Sequence, residues 1–114
     1  MKGQFLMISF ALLLAGCSGG EPSQGSKDSW LMVLAQEAVE AKLKDPDSAD
    51  FRDIKVHHVG TKTAVCGEVN AKNGFGGYTG FERFISAGAK ELTFLESQMK
   101  AGEMNKAWDM FCRS

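Results

Sequence analysis

The chain has 114 residues, of which 44% are hydrophobic and 24% charged, the composition of one ordinary globular domain and not of a disordered chain. Thirteen Lys and Arg stand against fourteen Asp and Glu, a formal charge of −1. With no basic excess to neutralise a phosphate backbone, nucleic acid is not expected as a partner.

In chain order, Lys2 is followed by an apolar run, Phe5 to Leu14, interrupted only by Ser9. The run suits the apolar region of a signal peptide and is too short to span a bilayer, which takes ~20 helical residues. It ends Leu13-Leu14-Ala15-Gly16-Cys17, which looks like the bacterial lipobox. In proteins with that motif a diacylglycerol is attached to the cysteine sulfur, and cleavage makes that cysteine the first residue of the mature chain. The resemblance implies a signal peptide over 1–16, lipidation at Cys17 and membrane attachment through lipid. Residues 17–27 then form a Gly/Ser-rich tether before a single domain over 28–114. Ser18, with no Asp after the cysteine, resembles the pattern sent to the outer membrane of Gram-negative bacteria, facing the periplasm.

The chain has three cysteines, and lipidation of Cys17 leaves an even pair in an oxidising compartment. A Cys66–Cys112 disulfide is therefore expected. No CxxC spacing supports a reactive pair instead.

The first helix is expected over Trp30 to Lys44, capped by Asp28 or Ser29, with Leu31, Leu34, Ala35, Ala38 and Ala41 at helical spacing. Asp45-Pro46 ends it and opens a short helical turn, with Asp45 as its cap, that runs to Phe51. Strands follow over Ile54–Val59, Thr63–Ala71, Tyr78–Ser86 and Glu91–Leu95, and a second helix over Glu96–Cys112, weakened at Gly102. This order predicts an α+β domain: a four-stranded antiparallel meander with both helices packed on one face.

Lys44-Asp45-Pro46-Asp47-Ser48-Ala49-Asp50-Phe51-Arg52 and the stretch from Val65 to Phe84, Val-Cys-Gly-Glu-Val-Asn-Ala-Lys-Asn-Gly-Phe-Gly-Gly-Tyr-Thr-Gly-Phe-Glu-Arg-Phe, are the most distinctive segments. Together they resemble a group of small bacterial and phage-borne lipoproteins of unknown function. The resemblance implies no catalytic residue.

Read from the residues, alternation places Cys66, Glu68, Asn70 and Lys72 on one face of the second strand and Val65, Gly67, Val69 and Ala71 on the other. If Cys66 turns inward to meet Cys112, Glu68 and Asn70 turn with it and need partners. Either a bulge near Gly67 resets the alternation, or Glu68 and Asn70 hold the backbone of the glycine loop; the second is the favoured expectation. The loop lacks the GxxxxGK[ST] and GxGxxG spacings of phosphate cradles. Asn73, Phe75 and Tyr78 are instead candidates for a recognition loop, while Phe81 and Phe84 suit the core edge. His57 and His58 point to opposite strand faces and cannot share one metal, and His58 with Glu68 makes at most a weak site, so no metal or other cofactor is expected. Glu82 and Glu91 form no recognisable acid–base pair, and Ser48 and Ser86 have no base at readable spacing.

The expectation is thus an envelope binding module, not an enzyme. It would present Asn73–Thr79 to another envelope protein or to cell wall; blockage of a receptor or an injection machine is the version suggested by the family resemblance. A small envelope hydrolase, or an inhibitor of one, is the alternative.

Overall fold

The structure is a computed structural model describing residues 23–113; the lipobox-like segment, Cys17 and residues 18–22 lie outside the described residues. Its elements are α1 (Gln24–Glu40), β1 (Asp50–Val59), β2 (Lys62–Asn70), β3 (Glu82–Ser86), β4 (Thr93–Leu95) and α2 (Glu103–Phe111). Short 3-10 turns occupy Pro46–Ser48, Lys90–Leu92 and Glu96–Gln98. The strands form one antiparallel sheet in the order β1-β2-β3-β4, so the α+β meander expected from sequence is present.

The helices, however, pack on opposite faces of the sheet, not on one. Val65, Val69, Phe84 and Leu95 meet Ala35 and Val39 of α1. Their strand neighbours Ala64, Cys66 and Ile85 meet Met104 and Cys112 beside α2. Side chains alternate along a strand, so β2 carries apolar side chains on both faces, Val65 and Val69 on one and Ala64 and Cys66 on the other, and each set needs its own cover. A single helix layer would have left one of those faces wet.

α1 begins earlier than the sequence suggests. Ser23 caps it, its Oγ accepting from the Ser26 N–H at 3.2 Å, so the stretch from Gln24 to Lys27 is helix and not tether. The apolar rhythm starts only near Trp30, which hid these polar first turns. The helix also ends at Glu40, short of Lys44. In the next turn Asp45 makes no side-chain cap; Ser48 Oγ donates to the Asp45 carbonyl instead.

β1 is longer than expected and carries a bulge, which the less favoured of the two expectations had placed near Gly67 of its partner. The register with β2 slips between Arg52 and Lys55, leaving Asp53 and Ile54 opposite Gly67, with Asp53 at φ 56°. This is a bulge in β1, so alternation along β2 continues unbroken. Gly67 lies under it for reasons of space: a Cβ there would come 3.0 Å from the Phe84 ring and 3.2 Å from the Ile54 Cα.

Under α1, Phe51 meets Phe84 edge to face with ring centroids 5.8 Å apart. The buried hydroxyls of Ser86 and Thr93 lie on this face and satisfy each other at 2.7 Å, Thr93 donating onward to the Ala89 carbonyl. On the other face the Cys66–Cys112 disulfide ties β2 to the end of α2, with Cα atoms 6.0 Å apart. Beyond it, Arg83 forks onto Glu96 through Nε at 3.1 Å and Nη2 at 2.8 Å, and reaches Asn105 of α2 at 2.7 Å.

Candidate functional site

The connection from β2 to β3 is built on side chains that replace sheet hydrogen bonds. Asn73 Oδ1 accepts from the N–H groups of Phe75 at 2.8 Å and Gly77 at 3.2 Å. The Asn73 N–H donates to the Gly77 carbonyl at 2.8 Å, and the Gly76 N–H donates to the Asn73 carbonyl at 3.0 Å. Gly76 turns the chain at φ 85°, a conformation costly for residues with a Cβ. At the base, Lys72 pairs with Tyr78 across the loop, and Asn70 Oδ1 accepts from the Gly80 N–H at 3.0 Å.

Ser48 clamps the loop from outside. Its Oγ accepts from the Lys72 N–H at 2.8 Å, and its carbonyl accepts from the Tyr78 hydroxyl at 3.2 Å. The two distinctive sequence segments therefore touch: the turn after Pro46 props both legs of the glycine loop. Sequence reasoning considered Ser48 only as a nucleophile lacking a base, and its positioning role was missed. Its place right after an Asp-Pro turn start was the available signal.

Phe75 stands at the apex of this braced loop, 99% exposed. Tyr78 is 54% exposed and lies under the Lys72 ammonium, 5.7 Å from its ring centroid. Phe84 is fully buried, and Phe81 is half-buried beneath the Arg52 guanidinium at 3.7 Å.

Of the two expected loop supports, Asn70 holds the loop and Glu68 does not. Glu68 accepts from Arg52 Nε at 2.6 Å, because β1 brings Arg52 directly opposite it. Nor does Glu68 meet His58, which faces Thr63 across the hairpin. His58 Nε2 lies 3.1 Å from Asp28 Oδ2 and its Nδ1 3.1 Å from Thr63 Oγ1. This line fastens the first turns of α1 to the β1–β2 hairpin. Asp28 is held below the usual carboxylate range, first by the hydrogen bond from Gln24 and then by the one from His58. Burial is the main reason the His57 imidazole is pushed below its ordinary value, with Lys55 and His58 adding to it.

Among the described residues no group of three His, Cys, Asp or Glu side chains could hold a metal ion, and no helix is long and apolar enough to cross a membrane. No family model, curated protein or solved structure matches the chain. The arrangement is a hydrogen-bonded loop presenting one bare aromatic ring beside a second, half-exposed one.

Proposed function

We propose that the protein is a lipid-anchored module of the bacterial envelope that binds a partner protein through the loop 73–79. Anchoring is inferred from the lipobox-like Leu13-Leu14-Ala15-Gly16-Cys17, and the outer membrane facing the periplasm from Ser18. The observation that carries the binding reading is Phe75: a fully exposed ring on a backbone locked at Asn73 and propped by Ser48. Aromatic side chains supply much of the energy of protein interfaces, and a loop already ordered loses little entropy on binding. Function here is recognition, not catalysis. In the phage-borne setting that the family resemblance suggests, the partner is a receptor or an injection protein of the envelope.

The test is a crosslinking pull-down of the full chain from its native envelope, with Phe75→Ala alongside. Supporting the reading, one dominant partner is captured and is lost with Phe75→Ala while the Tm is unchanged. Capture that is indifferent to Phe75→Ala overturns the loop as the binding surface. Anchoring is tested separately: Cys17→Ala should release the protein from membrane fractions, and continued retention overturns that part.

A further inference from the structure

We propose that the outer face of α1, centred on Trp30 and Val33, rests on the lipid surface to which Cys17 anchors the chain; this rests on the lipoprotein reading above. Trp30 is 63% exposed and Val33 42%, three residues apart on the face opposite the buried Ala35 and Val39. Exposed Ser26 and Ser29 flank them, so the ring rises from a surface of small side chains.

Chain length selects lipid over another occupant. Six Cα steps separate Cys17 from Ser23, and at 3.8 Å each they reach at most ~23 Å whatever their conformation. Trp30 lies seven residues further along, ~10 Å of helix at 1.5 Å per residue. With Cys17 in a bilayer, the indole is thus confined within roughly 33 Å of its anchor point. A site held that close to a surface meets it at an effective concentration of order mM, so a contact too weak for the free protein becomes populated.

The chemistry of the face fits. An indole joins an apolar body to one N–H donor and belongs at the boundary between headgroups and acyl chains. From Ser23 to Gln36 the only carboxylate is Asp28, and it is tied inward to His58 of β1. The outer face acquires negative charge only at Glu37, so the N-terminal half of α1 meets lipid without burying a free carboxylate. In this pose the lipid anchor and the helix together orient the domain, where the anchor alone would let it tumble.

The experiment uses the lipidated full chain in vesicles of phosphatidylethanolamine and phosphatidylglycerol at three to one. A Trp108→Phe background leaves Trp30 as the single tryptophan, since the chain has two. Fluorescence is read with and without phosphatidylethanolamine brominated at mid-chain. The expected result is a blue-shifted emission quenched about twofold by the brominated lipid, abolished by Val33→Glu with vesicle binding intact. Emission that is unshifted and unquenched in protein that sediments with vesicles overturns the inference and leaves the anchoring intact. Failure of the wild-type chain to acquire lipid, or equal membrane retention of Cys17→Ala, overturns the anchoring and this inference with it.

Discussion

The two faces of the sheet are held by different physics. Under α1, apolar side chains interlock in one continuous cluster, with Phe84 and Val65 fully buried at its centre. Under α2, the apolar cluster is smaller, and a disulfide and the Arg83 fork complete the attachment. Helix length explains the difference. α1 has 17 residues and can lay several turns on the sheet, whereas α2 has nine, a length marginal for any helix without outside support. A long helix is kept by the area it covers; a short one is kept by a few strong fastenings.

That contrast can be broken from either side. Phe84→Ala removes the centre of the α1 face and should cost in the upper part of the ~3–5 kcal/mol seen for buried Phe truncations, read by chemical denaturation. Replacing Cys66 and Cys112 together by Ala should cost about 3–4 kcal/mol, because the bond closes a separation of 46 residues. That loss should appear first as fraying of α2 in hydrogen exchange, with amides of α1 protected longest; simultaneous loss of both helices would show that the faces are not separately held. Glu96→Gln should cost about 1 kcal/mol or less, since the Glu96 side chain is 41% exposed and water screens the pair. Its signature is in pH. Hydrogen bonding from Arg83 holds the Glu96 carboxyl below the ordinary range, so its contribution is complete above ~4.3 and is lost as pH falls through the lowered folded value. Glu96→Gln should flatten that part of the acid limb of the stability profile. Smallest of all, Phe75→Ala should move stability by less than ~0.5 kcal/mol, as its ring touches neither face. A larger loss would mean that the ring is structural.

Alternation in β2 made much of this legible. It placed Cys66 opposite Val65 and Val69, and the cysteine count named its partner. The same alternation pointed to two covered faces, because Ala64 and Cys66 stand on one side of the strand and Val65 and Val69 on the other, although Glu68 and Asn70 share the Cys66 side. Expecting both helices on one side overlooked that. A bulge near Gly67 was the less favoured expectation, and the sheet has one at that level but on the other strand: Gly67 signals the crowding, and Asp53 and Ile54 of β1 supply it. The Arg83–Glu96 and Arg52–Glu68 pairs had no local signal, since they join residues 13 and 16 positions apart that only strand pairing brings together. For Ser48 the Asp-Pro turn start marked a bracing residue but not what it braces, its loop partners lying 24 and 30 residues on.

The disulfide has a consequence for survival among proteases. The exposed loop falls between Cys66 and Cys112, so a single cut beside Phe75 would divide the backbone without separating the pieces. One piece would keep α1, β1 and β2, and the other β3, β4 and α2, joined by one sulfur–sulfur bond and by the β2–β3 ladder. Such a nicked molecule would migrate as one band on a non-reducing gel and as two after reduction. Accessibility and integrity are thereby uncoupled: a fully exposed ring can sit on a loop that projects from the sheet, and the molecule stays whole if that loop is cut.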